Sequence, residues 1–283
     1  MNKLIIFDGN ALIHRSYHAL PPFRTRKGQL TNAVYGFASV LIKVVKEFEP
    51  EYMVATFDLE GPTFRDLEYK EYKANRKRGD QDLYDQIPLV KKLVESFNIP
   101  IYEKKGYEAD DLIGTIVNQA KEINKLIITG DLDTLQLINP KTKVYNLKKG
   151  INQTLIYGEE EVQEKYGINP NQIIDLKGLK GDPSDNIPGV NGVGEKTALK
   201  LIEKFKNIEN LYEKISEVEP KLKARLLEYK EDALMSKKLA TIERNVPMQF
   251  DLEKAKWEYE KEKVIKFFEE LEFNALIKRL DQI

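Results

Sequence analysis

Cysteine is missing from all 283 residues. That rules out disulfides, thiolate zinc sites and cysteine nucleophiles. Histidine is nearly missing: only His14 and His18 occur, and both read as structural residues rather than ligands. Metal chemistry in this chain must therefore run on carboxylates, which prefer hard cations such as Mg²⁺ or Mn²⁺. No apolar run reaches the roughly eighteen residues of a membrane span, so no membrane segment is expected. The apolar stretch at the N-terminus is broken at Asp8, too early for the apolar region of a signal peptide. A cytoplasmic location is the expectation. No GK[ST] follows a GxxxxG, which argues against a nucleoside triphosphatase. The single tryptophan, Trp257, carries no functional signal.

What is present is patterned. The chain is 41% hydrophobic, enough to bury the core of one large domain or two modest ones. Residues 4–8 read LIIFD, 53–58 MVATFD and 126–131 LIITGD. Each is a continuous β-prone run ending in aspartate, the pattern of strands buried on both faces of a parallel sheet. Further short strands are expected at 99–102 and 143–147. The segments between carry helical periodicity: Val34, Phe37, Leu41 and Val44 form one stripe, and Leu112, Ile113, Ile116 and Val117 another. Alternating strands and helices predict an α/β fold with a central, mostly parallel sheet. After about residue 170 glycine and proline become dense and amphipathic helices follow. This predicts a core over 1–172 and a helical region over 173–283, its last helix packing back on the body.

The charges are sorted more sharply than a net −1 suggests. Asp8, Asp58 and Asp131 sit at strand ends, where ligand sites form in open parallel sheets. Glu108, Asp110 and Asp111 crowd the head of one predicted helix, and Asp133, Asp182 and Asp185 complete an acidic set. Singly, each has an ordinary role in a turn or at a helix N-terminus. Jointly they would repel unless a cation neutralised them. A two-metal centre for phosphodiester hydrolysis needs such a set, because two cations can stabilise both the attacking and leaving oxygens. Nine acids exceed the direct ligands of two ions, so some are expected to act through water.

The basic stretch 69–79 reads YKEYKANRKRG, with Lys70, Lys73, Arg76, Lys77 and Arg78 interleaved with Tyr69 and Tyr72. Such a stretch can track phosphates and stack on bases, and Lys73 and Arg76 would share a helix face. Gly189, Gly192 and Gly194 form a turn before a helix starting near Lys196 and Thr197. Backbone N–H groups there could grip a phosphate without reading bases.

The acids in FDGN, TFD, YEADD, TGDLD and GDPSDN, in that order and followed by GVNGVGEKTA, resemble the 5′-nuclease (flap endonuclease) superfamily. The likeness covers essentially the whole chain and is greatest to the 5′–3′ exonuclease domain that begins bacterial DNA polymerase I. It implies a PIN-like α/β nuclease core, a helical arch at about 62–92 and a C-terminal helix-three-turn-helix region. It makes all nine acids metal-binding residues, and Tyr72, Lys73 and Arg76 the catalytic residues of the arch, with Lys73 nearest the scissile phosphate. Lys70, Lys77, Arg78 and the Gly189–Thr197 turn become DNA contacts, the turn also holding a K⁺ ion. The implied activity is metal-dependent 5′–3′ exonuclease and 5′-flap endonuclease action on DNA and RNA–DNA primers, in replication and repair, by a monomer. Two alternatives are a non-catalytic binder of branched DNA and an RNA-directed nuclease of the same fold. No polymerase region follows Ile283, so the chain reads as either a standalone exonuclease or an excised domain.

Overall fold

The computed structural model describes residues 3–76, 79–149 and 153–283. Six strands form one sheet in the order β3-β2-β1-β4-β5-β6. They are β1 (Lys3–Asp8), β2 (Tyr52–Thr56), β3 (Ile101–Tyr102), β4 (Asn124–Thr129), β5 (Thr142–Lys149) and β6 (Gln153–Tyr157). The first five pair in parallel and β6 returns antiparallel on β5. The continuous apolar runs do what their pattern predicts. Leu4 and Ile6 enter one core, Ile5 and Phe7 the other, because successive strand residues point to opposite faces and both faces are covered. The sixth strand went unforeseen: its sequence, QTLIY, is half polar and has no aspartate at its end.

Helices α1 (Gly9–Ala19) and α2 (Asn32–Phe48) fill the second core, the latter ending where Glu49 turns left-handed ahead of Pro50. Next come α3 (Phe64–Glu68), α4 (Gln81–Tyr84), α5 (Ile87–Ser96), α6 (Ala109–Gln119) and α7 (Glu159–Tyr166). The expected helical arch takes another form. Residues 70–75 are turns, and Lys73 has φ +54, so Lys73 and Arg76 do not share a helix face. The segment is instead tied down: the Lys73 N–H donates to the Asp185 carbonyl at 2.8 Å, and the Asn186 amide to the Glu71 carbonyl at 2.6 Å. Those contacts satisfy backbone groups that a helix would have paired internally.

The C-terminal helices are α8 (Ile173–Lys180), α9 (Glu195–Phe205), α10 (Ile208–Glu213), α11 (Pro220–Glu228) and α12 (Lys230–Ala240). They share the first core with Ile113 and Ile127, so this region and the sheet bury one continuous interior. Helices α8 and α12 approach closely at Gly178, where a Cβ would stand 2.9 Å from the Cβ of Lys237. The closing stretch does pack back on the body, but as α13 (Lys261–Glu270) and α14 (Asn274–Ile277), broken where Glu272 adopts φ +60. Phe268 meets Phe97, and the Trp257 indole donates to the Phe97 carbonyl at 2.8 Å.

Candidate active site

The carboxyl ends of β2, β1 and β4 are neighbours, and they bring three aspartates to one cleft of about 590 Å³. Asp8 ends β1 and caps α1: its Oδ1 accepts from the Ala11 N–H at 3.0 Å, its Oδ2 from the Thr129 hydroxyl at 2.6 Å. Burial outweighs those bonds, and with Asp131 and Asp58 nearby the carboxyl is pushed up to about 7. Asp58 lies two residues past β2. It accepts the Ala109 N–H at 2.6 Å and so caps α6, while its own N–H donates to the Asn10 side chain at 3.0 Å. Asp131 lies two residues past β4 and accepts the Asp133 N–H at 2.9 Å. Both strands end two residues before their aspartates, which leaves room for the turns that aim them inward.

Helix α6 enters from across the cleft, and its three acids part company. Asp110 faces Asp8, Asp131 and Asp133; burial first, and then these neighbours, drive its carboxyl far above the ordinary range. It makes no hydrogen bond or ion pair among the described residues. Glu108 pairs with Lys73 at 2.6 Å and accepts the Tyr72 hydroxyl at 3.2 Å. Asp111 turns away from the cleft into the protein, against Arg65. This corrects the expectation that all three acids of the helix head face a metal.

Asp133, Asp182 and Asp185 come together on the outer side, with ligand oxygens within 4.8 Å of one another. Lys177 bridges two of them, touching Asp133 and lying 2.6 Å from Asp182. Burial and Asp131 push Asp133 up to about 7 despite the lysine. At Asp182 burial acts in the same direction, but Lys177 and Ser184 overcome it and hold the carboxyl down at about 2. Arg76 is ion-paired with Asp185. Tyr72, Lys73 and Arg76 thus reach the acids from an irregular segment rather than a helix.

The donor set is all oxygen, and Asp8, Asp110 and Asp131 have no cationic partner among the described residues. That combination fits one or more hard divalent cations. Residues that sequence reasoning missed also line the cleft: Asn10, Arg15 and Arg65, with Lys177 behind the outer acids. Charge balance could have suggested buried cations among so many acids, but no spacing singles these out. His14 and His18, read as structural, also lie on the cleft wall.

The glycine turn begins against Gly181, next to Asp182. Gly189 and Gly192 have φ +63 and +78, and Gly194 caps α9. At Gly189 a side chain would collide with the Gly181 backbone, 2.2 Å from its nitrogen. Lys196 is exposed, Thr197 is half-buried with its N–H bonded to Gly194, and Lys70 is exposed. Lys77 and Arg78 lie outside the described residues.

Comparison with known proteins agrees with this architecture. Residues 3–167 match the 5′–3′ exonuclease N-terminal resolvase-like domain, and 168–263 the 5′–3′ exonuclease C-terminal SAM fold. DNA polymerase I of Bacillus subtilis (strain 168) is 45% identical over 284 residues, covering 99% of this chain and 32% of that protein. DNA polymerase I of Mycobacterium tuberculosis is 36% identical over 282 residues, 98% of this chain and 31% of that protein. The chain thus spans about a third of the length of these relatives. Among solved structures, T5 5′-exonuclease with bound zinc superposes with a TM-score of 0.74 at 21% identity, covering 97% of this chain and 100% of that one. The catalytic core of Rad2 in complex with a DNA substrate gives 0.64 at 19%, covering 99% and 90%. At such identities the structures speak for the fold.

Proposed function

The chain belongs to the 5′–3′ exonuclease family, and from that premise we propose that it hydrolyses phosphodiester bonds at the 5′ ends, nicks and 5′ flaps of DNA and of RNA–DNA primers. The observation that carries this reading is the acidic cleft, where Asp8, Asp110 and Asp131 converge without a lysine or arginine partner among the described residues. Asp8, Asp58, Asp110 and Asp131 would hold one divalent ion, and Asp133, Asp182 and Asp185 a second. Two bound Mg²⁺ or Mn²⁺ ions supply activation of water and neutralise charge on the attacking and leaving oxygens.

The chain's own residues do the rest. Lys73 and Arg76, now paired with Glu108 and Asp185, stand at the cleft mouth where an incoming phosphate competes for them. Tyr72, buried beneath Lys73 against Ile187 and Leu239, keeps the ammonium in place, so its ring is not open to an unpaired base as the sequence suggested. The Gly189–Gly194 turn and Lys196 hold the duplex backbone, with K⁺ as an additional bridge, so recognition is of shape rather than sequence. A monomer suffices for all of these contacts, acting in replication and repair in the cytoplasm. Asp131→Ala is expected to bind 5′-flap DNA as the wild type does and to leave it uncut in Mg²⁺. Cleavage by this variant at near wild-type rate would sink the metal assignment.

A further inference from the structure

Asp111 is fully buried beneath the cleft, and its four acceptor positions are all taken. Oδ1 accepts from Arg65 at 2.7 Å and from the Glu243 N–H at 2.9 Å. Oδ2 accepts from Arg65 at 2.8 Å and from the Glu108 N–H at 3.0 Å. A carboxylate offers about four lone-pair sites, so none is left for a metal.

Arg65 is equally committed. Beyond its two bonds to Asp111, it donates to the carbonyls of Leu239 at 2.9 Å and Thr241 at 2.8 Å. Its remaining side faces the Glu108 carboxylate at 3.5 Å. Four of its five guanidinium N–H donors are thus hydrogen-bonded and the remaining side lies in ion-pair range of Glu108, a pattern that suits the planar fork of arginine. The pair joins three elements distant in sequence: α3, the head of α6, and the segment that leaves α12. Helix α12 is in turn fastened to the glycine turn, where the Gly189 N–H donates to Ser236 at 2.9 Å.

We propose that Arg65 and Asp111 are positioning residues: a buried clamp through which the segment following α12 sets the pose of Glu108 and Asp110 at the cleft. Asp111 then acts on the metal centre through the backbone N–H of Glu108 and through Arg65, without touching a cation. The inference rests on the nuclease reading above and assigns Asp111 a role different from its neighbour Asp110. One-residue spacing separates them on α6, yet one faces the cleft and the other the interior, as a helical turn of about 100° per residue dictates.

The test compares Asp111→Asn, Arg65→Lys and Asp110→Asn. Mn²⁺ bound per chain is measured by electron paramagnetic resonance, and single-turnover cleavage of a 5′-flap duplex in Mg²⁺ is followed alongside. Asp111→Asn and Arg65→Lys are expected to keep the wild-type number of ions and the wild-type KM, and to lose about 10–100-fold in kcat, the usual cost of disturbing groups that orient metal ligands. The double variant should lose little more than either single one, because the pair acts as a unit. Asp110→Asn should lose an ion. Should Asp111→Asn unfold, Arg65→Lys, which keeps the buried charge, decides alone. Loss of an ion in either clamp variant, or wild-type kcat in Arg65→Lys, would overturn the clamp. A wild-type protein that binds Mn²⁺ yet cuts no flap would instead fail the nuclease reading and leave the ion counts to judge the clamp.

Discussion

Along the sheet edge, Asp8 and Asp131, with Asp110 facing them, form no ion pair with a lysine or arginine among the described residues. On the outer rim Glu108, Asp133, Asp182 and Asp185 each touch at least one. The two halves of one cleft answer the same repulsion in different ways. On the rim, Lys73, Arg76 and Lys177 neutralise the acids from within the chain. At the sheet edge no lysine or arginine among the described residues pairs with the acids, and burial and neighbouring carboxylates push the Asp8 and Asp110 carboxyls upward. A divalent ion therefore has most to offer at the sheet edge. At the rim it must compete with cations already in place, and so must a substrate phosphate.

The largest effect should follow from breaking the sheet-edge half. Asp8→Asn is expected to lower single-turnover cleavage by about 10³-fold or more, the scale of several kcal/mol of metal-supplied stabilisation. It should leave flap binding in Ca²⁺ intact. Breaking the rim costs less: Lys73→Ala and Arg76→Ala should each cost about 10²–10³-fold, as expected for removing one preorganised charge from a transition state. Equal losses from Asp8→Asn and Arg76→Ala would erase the distinction between the halves.

The same comparison predicts opposite responses to pH and metal. The unfolded chain releases the Asp8 proton near about pH 4, whereas the folded state holds it to about 7. Stability in EDTA is therefore full below about pH 4 and declines as pH rises towards 7, by at most about 4 kcal/mol for this group. Mg²⁺ takes the place of the proton and should flatten the slope, as urea denaturation at mildly acidic and mildly alkaline pH will read. Asp182, held down at about 2 by Lys177 and Ser184 against its burial, contributes the reverse: stability present at neutral pH and lost only as pH falls towards 2. The smallest effect belongs to the exposed Lys196 beside the glycine turn. Lys196→Ala should weaken duplex binding about equally for all sequences and reduce the salt slope by about one. A change in sequence preference would contradict shape recognition.

Much of this was legible in the chain. Three of the five parallel strands follow from continuous apolar runs, and the site's position follows from aspartates at their ends, because a parallel sheet opens its crevice there. The family's order of motifs supplied the rest of the acids. The shared helix face of Lys73 and Arg76 was misread because a three-residue spacing does not reveal that Lys73 is tethered to Asp185, 112 residues away. The antiparallel β6 was missed because its pattern is too short and too polar to stand out.

The sequence by itself determined which groups are available: hard oxygen ligands, no thiols, and a glycine turn whose positive φ values need glycine. Only the tertiary structure decided what each acid does. Asp110 and Asp111 are adjacent and chemically identical, yet one lies bare among carboxylates and the other is locked to Arg65. The reason is physical: a carboxylate's role is set by its burial and by the charge opposite it, and here those opposing groups arrive from residues 65, 177 and 243.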